Sequence, residues 1–242
     1  MKKVLFGLVL SFIVVMGNAQ NDKNIVFDAN AEIRKVSGFT SIEVAGAVNL
    51  YLSQGTENAV AVSAGDESLI SRIRTSVRDN VLYIDFDSKG LGWRNWGNNK
   101  IKAYVTFASL KKIEASGACN IKTAGLLKLN DFKIELSGAS DFSGEIEATN
   151  LAISLSGASD LKLKGTAEKL SINSNGASSA KAYDLKSDYC KIDASGASSV
   201  QITVNKEVNA RASGASSINY KGDAIAKDFS SSGASSVKHK SN

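Results

Sequence analysis

Three residues in one Gly- and Asn-rich stretch, residues 90–99, have the types expected at a binding site. Trp93 and Trp96 are the two tryptophans of the chain, and Arg94 lies between them. Trp and Arg are enriched at binding hot spots, and flat indole rings stack well on sugars or on partner side chains. We therefore predict that Trp93 or Trp96 is at least partly exposed and contributes to binding. The alternative is that one indole fills a crevice or covers an end of the fold.

Two carboxylates have the spacing for acid–base chemistry. Asp141 and Asp160 occupy equivalent positions of a 19-residue unit, and glycoside hydrolysis uses two carboxyl groups about 5 to 9.5 Å apart. Glu114 and Glu135 form a second such pair. The competing interpretation is an ordinary charged surface, because no third group and no cleft-forming loop accompanies either pair. That interpretation is favoured, so we predict no catalytic residue.

Other site chemistries lack their residues. His239 is the only histidine and lies three residues from the end, so no Ser–His–acid triad is predicted. No His/Cys cluster and no Asp-rich calcium loop occurs, so we predict no metal and no cofactor. Stacking would separate Cys119 from Cys190 by about 19 Å, too far for a disulfide. Cys190 is predicted to be a small core residue.

A short sequence motif, Ser-Gly-Ala-Ser or a close variant, occurs seven times in the chain and predicts the elements that position these residues. We call this motif the phrase. Successive glycines are 21, 19, 19, 20, 18 and 19 residues apart, which is typical of a stacked repeat. Apolar residues recur four positions before and four positions after each glycine and alternate with polar ones, as in half-buried strands. The phrase glycines are Gly117, Gly138, Gly157, Gly176, Gly196, Gly214 and Gly233.

This pattern predicts an all-β fold, a right-handed parallel β-helix built from coils of roughly 19 residues. Each coil is a pair of strands around a Gly-Ala corner, and stacking puts the apolar residues of successive coils in columns. Ile134, Ile153, Ile172 and Ile192 are predicted to form one buried column. The serines are expected to hydrogen-bond at corners and along the stack. Residues 111–242 form the regular repeats.

Residues 20–110 are predicted to form degenerate N-terminal coils with longer loops, continuous with the regular part. Residues 39–52 alternate cleanly around a Gly46–Ala47 corner and resemble a first coil. Strands are also predicted at 59–63, 81–86 and 101–107. Residues 66–77 have helical spacing with Asp66 as a possible N-cap, which indicates a short helix or a bulged connection.

The first 19 residues are predicted to be a signal peptide. Lys2 and Lys3 precede thirteen apolar residues, 4–16, and a small-residue cleavage site, 17–19. Thirteen residues are too few to span a bilayer, so the mature chain should be exported, to the periplasm or the cell surface, without a membrane span. Its formal charge falls from +5 to +3 because only the two lysines are lost. That charge is mild and evenly spread along the chain, so we predict no nucleic-acid partner.

Several segments resemble one known family. They are the signal peptide, residues 39–44 (FTSIEV), residues 110–118 (LKKIEASGA) and the closing SGASSV. They are similar to the putative autotransporter adhesin, head GIN domain family of the Bacteroidota, over about residues 25–240. The resemblance implies a secreted β-helical protein named by analogy with adhesins, with no family catalytic residues to carry over.

Two functions follow from these observations. The favoured one is a non-enzymatic envelope protein that binds an unknown glycan or protein partner or acts as a scaffold. The alternative is a carbohydrate-active β-helix enzyme, a polysaccharide lyase or hydrolase. We also expect a monomer, because Lys238, His239 and Lys240 put positive charge on the last strand edge and so discourage self-pairing.

Overall fold

The regular part of the chain is a parallel β-solenoid of about seven turns with coils of about 19 residues, which confirms the predicted fold class. The computed structural model describes residues 28, 30–91 and 100–241. The right-handed sense of the coil stays a prediction. The solenoid strands are β8 Lys112–Gly117, β9 Asn120–Leu136, β10 Asp141–Leu155, β11 Asp160–Ser174, β12 Ser179–Ala194, β13 Ser199–Ala212, β14 Ser217–Lys221, β15 Ile225–Ser231 and β16 Ser236–His239.

Each coil lies directly over the one before it. Strands β9 to β13 pair in parallel, each with the next, and residues at equal distance from the corner glycine are register partners. The long strands bend between two corners, where the register shifts, for example between Ser143 and Glu145 and between Lys162 and Gly165. We call the residues just before a Gly-Ala corner the pre-corner side of the solenoid and those just after it the post-corner side.

The corner glycines are stacked on one another with a left-handed backbone. Gly176 and Gly196 have φ of 72° and 71°, a region that only glycine adopts without strain. A Cβ added to Gly196 would lie 2.6 Å from the carbonyl oxygen of Gly176. That oxygen accepts a hydrogen bond of 2.8 Å from the N–H of Ala197. The repeated Gly-Ala pair is therefore required both by the turn and by the closeness of the next coil.

The core is a set of columns that run along the solenoid. The predicted column of Ile134, Ile153, Ile172 and Ile192 is confirmed, since each is at most 1% exposed and pairs in register with the next. It extends in the N-terminal direction through Ile113. Apolar side chains of this kind supply most of the stabilisation of a solenoid, because a coil alone cannot bury its inner face.

In the second to sixth phrases the fourth residue is a buried serine. Ser159 and Ser178 donate hydrogen bonds to carbonyl oxygens within their own corner, at 2.8 and 2.7 Å. Ser198 and Ser216 donate to carbonyls of the preceding coil, at 3.0 and 3.1 Å. The expected role of the serines at corners and along the stack is therefore confirmed. Cys119 occupies the same position in the first phrase, with its Sγ atom 3.3 Å from the carbonyl oxygen of Ser116.

The N-terminal part contributes the first coil and a cover over it. Strands β2 Ser41–Gly46 and β3 Val48–Gln54 form that coil, and Gly46 is the register partner of Gly117. The chain then leaves the stack, and β6 Val81–Phe86 and β7 Ile101–Phe107 pair in parallel with the opposite edges of β2 and β3 before β8 returns. The strands are β1 Glu32–Arg34, β2 Ser41–Gly46, β3 Val48–Gln54, β4 Ala59–Ser63, β5 Ile73–Arg78, β6 Val81–Phe86 and β7 Ile101–Phe107.

The outermost N-terminal strands are antiparallel. Strand β5 pairs with β6, β4 pairs with β7, and β1 pairs with β4. A 3₁₀ helix, Glu67–Arg72, begins at the Asp66 cap, whose carboxylate accepts from the N–H of Ser68. The helical interpretation of residues 66–77 is therefore right only for the first half, since Ile73 and Val77 belong to strand β5.

Candidate functional site

The post-corner side carries a row of lysines in register. The fifth residue after each corner glycine points outward, and parallel pairing aligns these residues from coil to coil. We call this row the lysine ladder. Its members are Lys122, Ser143, Lys162, Lys181, Gln201, Asn219 and Lys238. The four lysines are exposed and the three uncharged residues are half-buried.

The lysines of the ladder have no carboxylate partner. Across the described part of the chain, none of the four lies within 4.0 Å of an Asp or Glu oxygen. Lys162 and Lys181 are direct register partners, so their backbones are about 4.8 Å apart. The row therefore aligns lysines that form no ion pair, with Asp160 two residues before Lys162 on the same outward face.

The pre-corner side differs, because several of its charged side chains form ion pairs with one another. Lys112 Nζ lies 2.7 Å from Glu114 and 2.5 Å from Glu135, and Lys133 Nζ lies 2.6 Å from Glu135. Hydrogen bonds from Lys112 and then Lys133 lower the pKa of Glu135. Arg211 likewise lies 2.7 Å from Asp228. A carboxylate held ionised in this way is unsuited to act as a general acid.

Aromatic rings continue the lysine ladder at its N-terminal end. Tyr51 is the register partner of Lys122, and Tyr104 is the partner of Tyr51. The two rings stack with centroids 5.2 Å apart. Both side chains are half-buried. An aromatic platform therefore precedes the row of cations on the same side of the molecule.

A half-buried charge cluster holds Asp28, which precedes β1, against this end. Asp28 accepts hydrogen bonds from Ser63 Oγ at 2.5 Å, Lys102 Nζ at 2.9 Å and Tyr104 Oη at 3.2 Å. The hydrogen bonds from Ser63 and Lys102 lower the pKa of Asp28 to about 2. Ser63 is fully buried, which makes this a structural contact, not an accessible nucleophile.

Two shallow grooves lie on the pre-corner side of the described chain. One has a volume of about 400 Å³, with Phe132, Leu151 and Leu170 along its floor and Lys111 and Lys169 at its rim. The other, of about 380 Å³, is lined by polar side chains that include those of the Glu114–Glu135 pair. Both are open to solvent and neither contains Asp141 or Asp160. Neither groove encloses a reaction site.

The structure places the sequence candidates as follows. Asp141 and Asp160 are exposed register partners, and no ion pair involves either of them in the described residues; their role stays a prediction. Trp93, Arg94 and Trp96 lie outside the described residues, so their role also stays a prediction. Within the described chain, no group of three His, Cys, Asp or Glu side chains is placed to hold a metal ion.

Both cysteines are free and buried, which confirms that they form no disulfide with each other. Cys190 stands between Leu170 and Val208 in a core column, as predicted. Burial raises the pKa of its thiol to about 12, and burial also raises the pKa of Cys119. Neither thiol is therefore suited to nucleophilic chemistry at neutral pH.

Sequence analysis missed the lysine ladder. Lysines are spread evenly along the chain, and this spread conceals their alignment once the coils are stacked. The signal was present at a fixed offset, five residues after each corner glycine.

Comparison with known families gives a match over residues 38–224, to the family described as putative auto-transporter adhesin, head GIN domain. The chain belongs to this family. The match covers the first coil, its N-terminal cover and the solenoid up to the turn before β15. Membership of the head GIN domain family therefore supports an adhesin-like function. No curated protein matches the chain.

Several solved structures share the fold of this head GIN domain. A putative adhesin from Bacteroides fragilis is 24% identical with a TM-score of 0.81, covering 87% of this chain and 96% of its own. A putative lipid binding protein from Parabacteroides distasonis is 21% identical with a TM-score of 0.67, covering 88% and 98%. A putative adhesin from Parabacteroides merdae is 20% identical with a TM-score of 0.65, covering 87% and 95%. At these identities the likeness shows the fold alone.

None of the helices in the described residues has the length and apolar character needed to cross a membrane.

Proposed function

We propose that this head GIN domain protein is an exported, non-enzymatic binding module that attaches to a glycan or protein partner through the outside of its solenoid. The family supports an adhesin-like role. The observation that carries the proposal is the regular surface itself, where side chains repeat in register at one-coil intervals over β9 to β14. Such extended surfaces are the binding faces of solenoid proteins.

The chemistry of the described residues favours binding over turnover. The best-placed carboxylates on the pre-corner side, Glu114 and Glu135, share a lysine. Asp141 and Asp160 lie on an open sheet face outside both grooves. Catalysis by a carboxylate pair needs a cleft that binds and orients the substrate, and these residues lie on open surface.

Purified mature protein should be tested for binding and for turnover in the same samples. We expect retention of one or more partners in a glycan array or an envelope pull-down. We expect no new reducing ends or unsaturated products when the same glycans are incubated with the protein. Product formation that scales with protein concentration would overturn the proposal in favour of the lyase or hydrolase alternative.

The export step has its own test. We propose cleavage after Ala19 and delivery to the periplasm or the cell surface. N-terminal sequencing of the protein from a fractionated native host should begin at Gln20. A cytoplasmic protein that keeps its first 19 residues would contradict this.

A further inference from the structure

We propose that the lysine ladder binds a linear, acidic polysaccharide that carries a carboxylate or sulfate group on its repeating sugars. This inference rests on the proposed binding function and deepens it by naming the ligand class and the side of the solenoid. The polymer would lie along the ladder, so that its successive anionic groups contact lysines on successive coils of the solenoid.

The first argument is charge. Lys122, Lys162 and Lys181 are exposed, and no carboxylate in the described chain lies within ion-pair distance of them. Register partners of like charge repel one another, as Lys162 and Lys181 must. On the pre-corner side the equivalent central lysine, Lys112, bridges two glutamates. The ladder lysines are therefore free of ion pairs in the described chain and can meet an external anion.

The second argument is spacing. Coils rise by about 4.8 Å, so Lys122 and Lys162, two coils apart, are separated by about 10 Å along the axis. The six coil-to-coil steps from Lys122 to Lys238 give a row of about 29 Å. A row of this length with a constant repeat suits a polymer with its own repeat better than a compact ligand.

The third argument is the chemistry between the lysines. Ser143, Gln201 and Asn219 lie between the lysines and offer both hydrogen-bond donors and acceptors to sugar hydroxyls. The half-buried Tyr51 ring follows Lys122 in the same row. Aromatic rings with a polar tip are suited to a face that is partly apolar and partly wet, such as a sugar ring.

An anionic lipid surface would offer similar charges, but the ladder lacks the features for entering one. Proteins that lie on a membrane combine cations with apolar side chains that enter the acyl boundary. In the described chain the large exposed apolar residues lie off the ladder, at Ile33, Leu126, Tyr189, Ile225 and Phe229. The row therefore fits an acidic glycan better than a bilayer.

Two triple variants test the ladder. The ladder variant is Lys122→Ser, Lys162→Ser and Lys181→Ser, which copies Ser143 of the same row. The matched control, Lys111→Ser, Lys169→Ser and Lys186→Ser, removes the same charge from exposed lysines away from the ladder that also have no carboxylate partner in the described chain. The probes are polygalacturonate, neutral dextran, and phosphatidylcholine vesicles with and without phosphatidylserine, measured by titration calorimetry at low and physiological salt.

We expect the natural protein to bind polygalacturonate more tightly than dextran and to lose affinity as salt rises. The ladder variant should bind about tenfold more weakly or worse, because it loses three exposed charge pairs with the polymer. The control should change less than about threefold. The melting temperatures of all three proteins should match, because the substituted side chains point outward. If the ladder variant does not fold, the single change Lys181→Gln is tested instead. This change copies Gln201 of the same row and should weaken binding about threefold.

Equal losses in the two variants would overturn the inference, since binding would then follow net charge alone. It is also overturned if the natural protein does not bind polygalacturonate, or if only anionic vesicles bind. Retention of a neutral glycan or a protein partner, unaffected by the ladder variant, would refute the ladder and leave the proposed function standing. Failure to retain any partner in the array and pull-down would refute the proposed function as well.

Discussion

Each corner glycine is constrained both by its left-handed backbone and by the closeness of the neighbouring coil. Comparison with Gly38, which has only the first constraint, separates the two effects. Gly196 and Gly38 have nearly the same backbone, with φ of 71° and 74°. A Cβ on Gly196 would meet the Gly176 carbonyl oxygen, whereas a Cβ on Gly38 would have nothing within 4 Å. The difference between the two sites therefore isolates the crowding between coils from the backbone strain.

We predict that Gly38→Ala costs about 1 kcal/mol, the usual penalty of a left-handed backbone for a residue with a Cβ. Gly196→Ala should cost that amount plus about 1–3 kcal/mol for overpacking against the next coil. Thermal unfolding of the two variants measures both, with about 2–4 °C expected per kcal/mol in a chain of this size. Equal shifts would mean that the neighbouring coil yields without cost.

Cys190 gives the chain a pH dependence at alkaline pH. Burial raises the pKa of its thiol from 9.0 to about 12, so the folded chain keeps this proton when the unfolded chain loses it. A group with a raised folded pKa of this kind stabilises the fold below the unfolded pKa, and the stabilisation is lost as pH rises towards the folded pKa.

We predict that Cys190→Val, which copies Val208 of the same column, is less sensitive than the natural protein to a rise in pH from about 9 to 11. The measurement is the melting temperature of both proteins across that range. A thiol reagent at pH 8 should find no reactive thiol in the folded chain and two in denaturant. Parallel pH curves for the two proteins would contradict the assignment.

At the scale of elements, the isoleucine column ties successive strands together. Ile153 on β10 lies between Ile134 on β9 and Ile172 on β11, all almost fully buried. The next residue, Ser154, points outward in the same strand. Ile153 and Ser154 therefore belong to the same strand and differ in whether the side chain points into the core or outward.

We therefore predict that Ile153→Asp destabilises the chain by several kcal/mol, because it buries an unpaired charge. Ser154→Asp should change stability by about 0.5 kcal/mol or less. Denaturant unfolding of the two variants measures the difference. A normal midpoint for Ile153→Asp would refute the stacked column.

The repeated phrase made the solenoid predictable from the sequence. The arrangement of the N-terminal strands that cover the solenoid was not predictable in this way. Strands 59–63, 81–86 and 101–107 have the bounds that the alternation predicts. Their order in the sheet depends on long-range pairings with no repeated phrase, such as β6 on β2 and the antiparallel β4 on β7. Residues 73 and 77 illustrate the limit of periodicity, because a spacing of four fits both a helix face and one face of a strand.

Candidate sites were less predictable than the fold for a related reason. A strand pattern separates inward from outward residues, yet the outward ones acquire meaning only when coils are laid over one another. The lysine ladder joins residues as far apart as Lys122 and Lys238 through six register steps. Unpaired charge is a property of that arrangement in space, and no local window of sequence contains it.

At the scale of the whole molecule, the last described coil lies at the end of the sheet. Strand β15 pairs with β13 and β16 with β14, with no further strand beside them in the described chain. Ile225 is 65% exposed and Phe229 is 41% exposed there. The Tyr220 ring contacts Phe229 and His239, which cover part of the core end. Exposed edges of this kind favour pairing with other chains unless charge opposes it.

We predict that the protein is mostly monomeric and that Lys238→Thr with Lys240→Thr increases dimer formation. The physical reason is the loss of two exposed charges beside an open strand edge. Light scattering over a range of concentrations measures the effect, with Lys169→Thr and Lys186→Thr, on strands β11 and β12 that are paired on both edges, as the matched control. A variant that stays as monomeric as the natural protein would show that the edge is protected in another way.

The central claim is that this head GIN domain binds through the post-corner side of its solenoid. The most direct test is lysine acetylation footprinting of the unmodified protein by mass spectrometry, with and without polygalacturonate, since every exposed lysine then reports at once. We predict that the polymer slows acetylation of Lys122, Lys162 and Lys181 and leaves Lys111, Lys169 and Lys186 unchanged. Uniform protection of all six, or protection of the second set alone, would contradict the claim.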